Sequence, residues 1–507
     1  MIARKWLLSL ALVGLPLAPL GAQTAVQPIA VPGPQSISAA DKATGAKADP
    51  DLTAEYGGPY SGSQAALVRQ VGLKVAAQSG IAGVDRDFSF KLLNSGVPNA
   101  FAIPGGFVYT TRGLLALMNN EAELAFVLGH ETGHIAAHHT DRRQKVTQRS
   151  VLLGTLGQTL LGAILGNGAL GQVGGQLGQA GIQRLVVGNV MSHSRQDEFE
   201  ADDLGVVYAR KAGYDPTASA DILSSLAAQT SLDARLTGQT RTTPGWAMSH
   251  PDPEARVARS LQRARQQTAA GGTRGGDGFL LALRGMIYGD DPAQGVIEGQ
   301  TFRYPADRIQ FTAPVGFGMD NSATAVTVSS TSGQGGQATF TGGKYDGNLD
   351  AVVTRGFAAL SSDKNATINV TPQRSTINGL TAASATIGAD SNGQPVDVTV
   401  VAIAASSTTA YSFTVIQPRG AGLGSLASLV QSFSRMSEAD AAAIRPRVID
   451  VVSVGRNDTV ASLAARMAYT DSREDRFRVL NGIAPGTTTL PAGRKVKLVV
   501  WGAPQKW

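Results

Sequence analysis

Apolar positions recur at helical spacing between Asn120 and His139: Leu124, Val127, Leu128 and Ile135. The pattern predicts a helix with Asn120 as N-cap and Glu123 three residues on, as in a capping box. A second helix is predicted from about Ser194 through Val206 and Tyr208, and Ala100 to Thr111 reads as a strand. The region from Tyr56 to Thr268 is otherwise helical in texture and ends in the glycine-rich run QQTAAGGTRGGDG. Beyond it the period changes. Thr324–Ser330, Ala366–Val370 and Val396–Ala404 are rich in Val and Thr and read as strands, and Leu423–Met436 reads as a closing helix. Val151–Val190 stands apart, full of Leu, Gly and Gln with almost no charge. It reads as a pair of helices packed on the core, or else as a hairpin making peripheral membrane contact.

These shifts divide the 507 residues as 1–22 signal peptide, 23–55 linker, 56–268, a glycine-rich linker at 269–278, 279–445, and 446–501. The expected fold class is α+β multidomain: a mainly helical first domain with a small sheet, an antiparallel-sheet α+β domain of unknown role, and a small βααβ module. The signal peptide is carried by Arg4 and Lys5 ahead of an apolar run broken by Pro16 and Pro19, then Gly21-Ala22. The run is shorter than the roughly 20 residues of a spanning helix. The expectation is a periplasmic or secreted protein without a transmembrane anchor. No cysteine is present, which excludes disulfides, thiolate ligands and a lipobox anchor. A net charge of +6 without a dense basic run argues against nucleic acid as a partner.

Chemistry concentrates in HETGH, residues 130–134. On a helix, positions i and i+4 share a face, so His130 and His134 can aim their imidazoles at one ion. Two neutral imidazoles suit zinc. Glu131 lies one step round, placed to take a proton from a water on the metal. A catalytic zinc needs a third protein ligand and an open position. A third histidine in the metzincin spacing is excluded, because Ala137 and Thr140 occupy the required positions. The string SRQDEFEADDLG supplies a carboxylate instead. Glu198 and Asp202 lie four apart on one helical face, Glu198 as ligand and Asp202 as hydrogen-bond partner of a ligating imidazole. Glu200 is the weaker ligand candidate. His138 and His139 sit at the helix end, where the dipole tolerates positive charge, and His193 reads as surface.

Four strings, NAFAIPGGFVYTTRGLL (99–115), HETGH (130–134), SRQDEFEAD (194–202) and SHPDPEAR (249–256), together resemble the gluzincin metallopeptidase family of the CAAX prenyl endopeptidases, the heat-shock protease HtpX and the periplasmic protease BepA. The resemblance spans about residues 56 to 265. It implies one Zn2+ per chain on His130, His134 and Glu198, with Glu131 as general base. It implies an extended polypeptide substrate paired with the strand at Ala100–Ile103. His250 matches a histidine that approaches the metal, either stabilising the oxyanion or occupying the open position as a latch. Residues 447–501 resemble a LysM module, which implies binding to peptidoglycan; the turn departs from that pattern by Arg456-Asn457. The reading is an exported zinc-dependent endopeptidase that hydrolyses peptide bonds of extended or misfolded envelope proteins through a Glu-activated zinc-bound water. Its alternative is an envelope assembly factor or chaperone-like binder with a silenced metal site.

Overall fold

The computed structural model describes residues 29–142, 193–237, 250, 253–267, 271–332, 335–360, 369–391 and 394–504. The expected signal peptide and the segment 151–190 lie outside the described residues. The chain separates into residues 1–30 and 31–507, and the elements below belong to the second unit.

Ala39–Glu55 form helix α1, inside the stretch read as a linker. Its Ala-rich composition favours helix, and Ser38 caps it by accepting from the Asp41 amide. Ala48, Leu52 and Tyr56 pack on Leu93, Phe101, Ile103 and Tyr109, and Asp49 accepts from Lys91 and Tyr109. This segment is therefore packed against the sheet of residues 89–111 rather than a linker. Helices α2 (Ser63–Ala76) and α3 (Val84–Asp87) follow. Next comes a three-stranded sheet of β1 (Ser89–Leu93), β2 (Ala100–Ile103) and β3 (Phe107–Thr111) in the order β1-β3-β2. The stretch expected as one strand is thus a hairpin. Pro104 cannot continue the ladder, and Gly105 and Gly106 turn the chain at φ 96° and 88°. A Cβ on Gly106 would lie 2.1 Å from the Asp87 carbonyl. β2 is left as an edge strand.

Helix α4 (Arg112–Leu117) leads into α5 (Glu121–Ala136), which carries HETGH. Asn120 caps α5 as expected, accepting from the Glu123 amide at 3.0 Å. The Glu123 carboxylate reaches the Asn119 amide and the Asn120 side chain, not the N-cap amide of a full capping box. Helix α6 (Arg195–Lys211) begins with a complete capping box between Ser194 and Asp197 and crosses α5 closely. A Cβ on Gly205 would lie 2.9 Å from the His130 amide, and one on Gly129 would lie 3.2 Å from the Gly205 Cα. Glycine on both helices permits this approach and brings the α6 carboxylates within reach of the α5 imidazoles. Helices α7 (Ala218–Thr237), α8 (Pro253–Gln267) and α9 (Gly276–Ala282) complete the helical part. The stretch before α9 is tied down, with Thr273 bonded to Gly213 and Asp215 and Arg274 held by Asp215 and Asp221.

The middle region holds a four-stranded sheet of β4 (Val296–Glu298), β5 (Thr301–Tyr304), β6 (Ile309–Thr312) and β14 (Ser434–Arg435). It also holds a seven-stranded antiparallel sheet in the order β10-β11-β12-β13-β9-β8-β7. These strands are β7 (Phe317–Asn321), β8 (Val326–Ser330), β9 (Gln337–Lys344), β10 (Gln373–Ile377), β11 (Leu380–Ser391), β12 (Gln394–Ala404) and β13 (Thr409–Pro418). Alternation along β12 is clear. Val401 and Ile403 face the four-stranded sheet with Phe311, Phe340 and Phe413, whereas Val398, Val400 and Ala402 face helix α10 (Leu349–Ala358). Two expectations are corrected. Of the strand expected at Ala366–Val370, residues 366–368 lie outside the described residues and 369 and 370 lie outside any strand, because β10 starts at Gln373, beyond Pro372. The closing helix is shorter than expected, a tight helical turn (Gly424–Leu426) running into α11 (Ala427–Gln431), after which the chain joins β6 as β14.

After α12 (Glu438–Ala443) the last region runs strand–helix–helix–strand, as expected: β15 (Arg447–Ser453), α13 (Val460–Ala464), α14 (Arg473–Leu480) and β16 (Lys495–Trp501). Residues 285–288 extend this pair through backbone bonds to Ile449 and Arg447. Lys497 is fully buried and donates to the carbonyls of Ala116 and Met118 at the end of α4, at 2.6 and 2.5 Å. Burial draws Lys497 and Glu123 toward their neutral forms. Among the described residues no helix is long and apolar enough to cross a membrane.

Candidate metal centre

The chain has six histidines, all between positions 130 and 250. The rings of five of them, His130, His134, His139, His193 and His250, stand in mutual contact. His130, His134, Glu198 and His250 offer ligand atoms that all lie within 4.8 Å of one another. The Nε2 atoms of His130 and His134 are 3.0 Å apart. Glu198 lies 3.6 Å from the first and 3.4 Å from the second. Each imidazole is engaged on its other nitrogen: His130 Nδ1 is 2.9 Å from Asp202, and His134 Nδ1 is 2.7 Å from His139 Nδ1.

This arrangement suits a cation. Asp202 as a carboxylate can only accept, so His130 donates through Nδ1 and presents a bare lone pair at Nε2. That lone pair converges with the His134 Nε2 and the Glu198 oxygens in a buried space, which is costly unless a positive charge sits among them. Nitrogen and oxygen donors in this number and softness fit zinc. Glu131 is buried beside the set, and burial raises its pKa above the ordinary carboxyl value. Burial opposes ionisation of Glu198 as well, but His250 and Arg256 hold its pKa well below the usual range.

Arg256, on α8, is a residue that sequence reasoning did not single out. It clamps Asp202 with two bonds of 2.8 and 2.7 Å, and its Nη1 lies 2.9 Å from Glu198. One buried guanidinium thus orients both Glu198 and Asp202 of α6. It stands in the string SHPDPEAR, the signal that could have found it. His250 enters the donor set itself. Its Nδ1 is 2.9 Å from Glu198 and 3.3 Å from His130 Nε2, while its Nε2 is 3.2 Å from the Ala100 carbonyl on β2 and 3.5 Å from Glu131. Burial disfavours a charged His250, yet the Glu198 carboxylate overrides it and lifts the pKa to about 9.

His139 is fully buried, not a charge at an open helix end. Helix α5 stops at Ala136, and His138 adopts φ 54°, a left-handed turn that folds His139 back under His134. Burial lowers the His139 pKa. His193, read as surface, is half-buried and stacks on His134 with centroids 3.8 Å apart. Glu200 faces away from the donor set, as expected, and takes His139 and Arg142 instead.

The family model of Peptidase family M48 matches residues 63–264. The segment is of the M48 type. The resemblance read from the four strings is borne out over this part of the chain. The beta-barrel assembly-enhancing protease of Escherichia coli K12 is 31% identical over 202 residues, 39% of this chain and 38% of that protein. That of Yersinia pestis is 33% identical over 182 residues, 35% of each chain. The mitochondrial metalloendopeptidase OMA1 of Schizosaccharomyces pombe is 27% identical over 210 residues, 41% of this chain and 56% of that protein. The chain therefore spans well under two thirds of the length of these M48-type relatives. A solved Bacteroides thetaiotaomicron structure covers 40% of this chain and 87% of its own at 10% identity, with a TM-score of 0.23, too low to indicate a shared fold.

Proposed function

We propose that the chain is an exported zinc metalloendopeptidase acting on extended or misfolded polypeptide of the cell envelope. The observation that carries this reading is the convergence of His130 Nε2, His134 Nε2 and Glu198, with Glu131 alongside and the open edge of β2 beside them. His130, His134 and Glu198 are the ligands of one ion, with Asp202 and Arg256 holding His130 and Glu198 in place. Bound there, zinc would supply Lewis acidity, lowering the pKa of a water and polarising a carbonyl. Glu131 takes the proton of the attacking water and delivers it to the leaving amine. The backbone of β2 pairs with the substrate, as an edge strand can. His250, reaching both Ala100 and Glu198, acts at the same place, either on the developing oxyanion or as a latch.

A second reading is favoured by one observation: His250 Nδ1 lies inside the donor set, where it would compete for the open coordination position. On this reading the site is silenced and the chain works as an assembly factor or chaperone-like binder. Zinc content and casein cleavage, measured together on wild type, Glu131→Gln and His250→Ala, separate the two. Bound zinc in all three, with cleavage lost in Glu131→Gln alone, is the expected result; a gain in His250→Ala identifies a latch. No zinc, or zinc without cleavage even in His250→Ala, overturns the peptidase reading. The C-terminal region is assigned to peptidoglycan binding on its sequence likeness, and loss of retention on purified cell wall when it is mutated tests that.

A further inference from the structure

We infer that His139 is the positioning residue for His134: it fixes the tautomer that leaves the His134 Nε2 lone pair free for the ion. The inference rests on the zinc reading above and extends it to a residue that no ligand motif marks.

The argument is one of proton direction. The Nδ1 atoms of His134 and His139 are 2.7 Å apart, so they share one proton, and one ring must donate while the other accepts. The other nitrogen of His139, Nε2, faces carboxylates: Glu200 at 3.3 Å and Asp197 at 3.6 Å. Both are held on α6, where Arg142 pairs with them at 2.9 and 3.7 Å. Carboxylates accept, so His139 carries its proton on Nε2 and offers a lone pair at Nδ1. His134 then donates through Nδ1 and is left with a bare Nε2, the atom that lies 3.0 Å from His130 Nε2 and 3.4 Å from Glu198. The reverse assignment would aim a His139 lone pair at two carboxylates and place a hydrogen where the ion belongs. The acidic pair of α6 thus sets, through His139, which nitrogen of His134 is available.

The backbone is arranged for this contact. Left-handed His138 interrupts the helix so that His139 lies under His134, whereas on a continuing helix it would stand about 140° round from it. The two ligating histidines are therefore held in different ways. His130 leans directly on a carboxylate, whereas His134 leans on a neutral imidazole that relays the effect of two.

The test is zinc affinity by chelator competition on the full chain, comparing wild type with His139→Phe and His139→Asn. Phe fills the space without an acceptor. Asn places an oxygen where Nδ1 stood. Partners of ligating histidines govern metal affinity by about 10- to 100-fold. His139→Phe is expected to weaken zinc by that factor, and His139→Asn to bind close to wild type. Where His139→Phe fails to fold, the imidazole 15N spectrum of zinc-loaded wild type decides, with protons expected on His134 Nδ1 and His139 Nε2. Wild-type affinity in a folded His139→Phe, or a proton on His139 Nδ1, overturns the inference while leaving the peptidase reading intact. A second zinc per chain, lost in His139→Phe and His193→Ala, overturns it by making His139 a ligand. Absence of zinc from wild type overturns both.

Discussion

The metal centre and the seven-stranded sheet bury their residues on opposite terms. Around α5 and α6, apolar side chains such as Leu128 and Leu204 are buried together with His130, Glu131, His134, His139, Glu198, Asp202 and Arg256, each of these polar groups engaged by another. In the sheet the buried side chains are Val400, Val401, Phe340, Phe413 and Val415, and the polar contacts are hydroxyl pairs such as Thr386–Thr399 at 2.8 Å. A sheet side chain removed leaves a cavity. A side chain removed from the metal centre leaves a charge or lone pair without its partner. The first region carries chemistry at the expense of tolerance; the second carries stability and has no histidine in it.

Substitutions can break this contrast in order of size. Glu131→Gln should lower peptide cleavage by about 10²- to 10⁴-fold, the range for a lost general base, with zinc content unchanged. Phe413→Ala, in the sheet core, should cost about 3–5 kcal/mol in denaturant unfolding and leave zinc affinity untouched. Arg256→Met should cost a similar amount, about 3–5 kcal/mol, because Asp202 and Glu198 are left buried without their shared guanidinium, and should also weaken zinc. That double effect is what separates the regions; a stability loss with normal zinc affinity would erase the contrast. Lys497→Met should cost about 1–3 kcal/mol by stranding the α4 carbonyls. Thr386→Val should fall at the small end, about 0.5–1.5 kcal/mol by the same unfolding measurement.

What was legible in the sequence follows from contact range. His130 and His134 share a helix, and Glu198 and Asp202 share another, so period alone paired them. The caps Asn120 and Ser194 lie within three residues of the amides they satisfy and could be read or nearly read locally. The α1 helix was missed because its Ala, Thr, Pro and Gly mixture resembles a linker, and its burial depends on strands some fifty residues away. His139 was missed because helical extrapolation fails at a non-glycine residue in a left-handed conformation, which no local pattern announces. Arg256 joins Asp202 across 54 positions and was invisible until α8 was placed on α6. Val326–Ser330 and Gln394–Ala404 were readable as strands from their Val and Thr content, whereas their order in the sheet was not.

The Lys497 side chain closes the carbonyl end of α4 from a position 381 residues downstream of Ala116. Ribosomes deliver a chain from its N-terminus. A nascent chain ending at residue 480 already contains HETGH, its carboxylate helix and Arg256, yet lacks the side chain that holds the Ala116 and Met118 carbonyls ahead of the helix that carries HETGH. Closing a loop of that span carries a larger entropic cost than any local contact in the domain. Completion of the helix entry therefore requires a residue far downstream, and the scaffold of the site cannot be finished by the helices that carry its side chains alone.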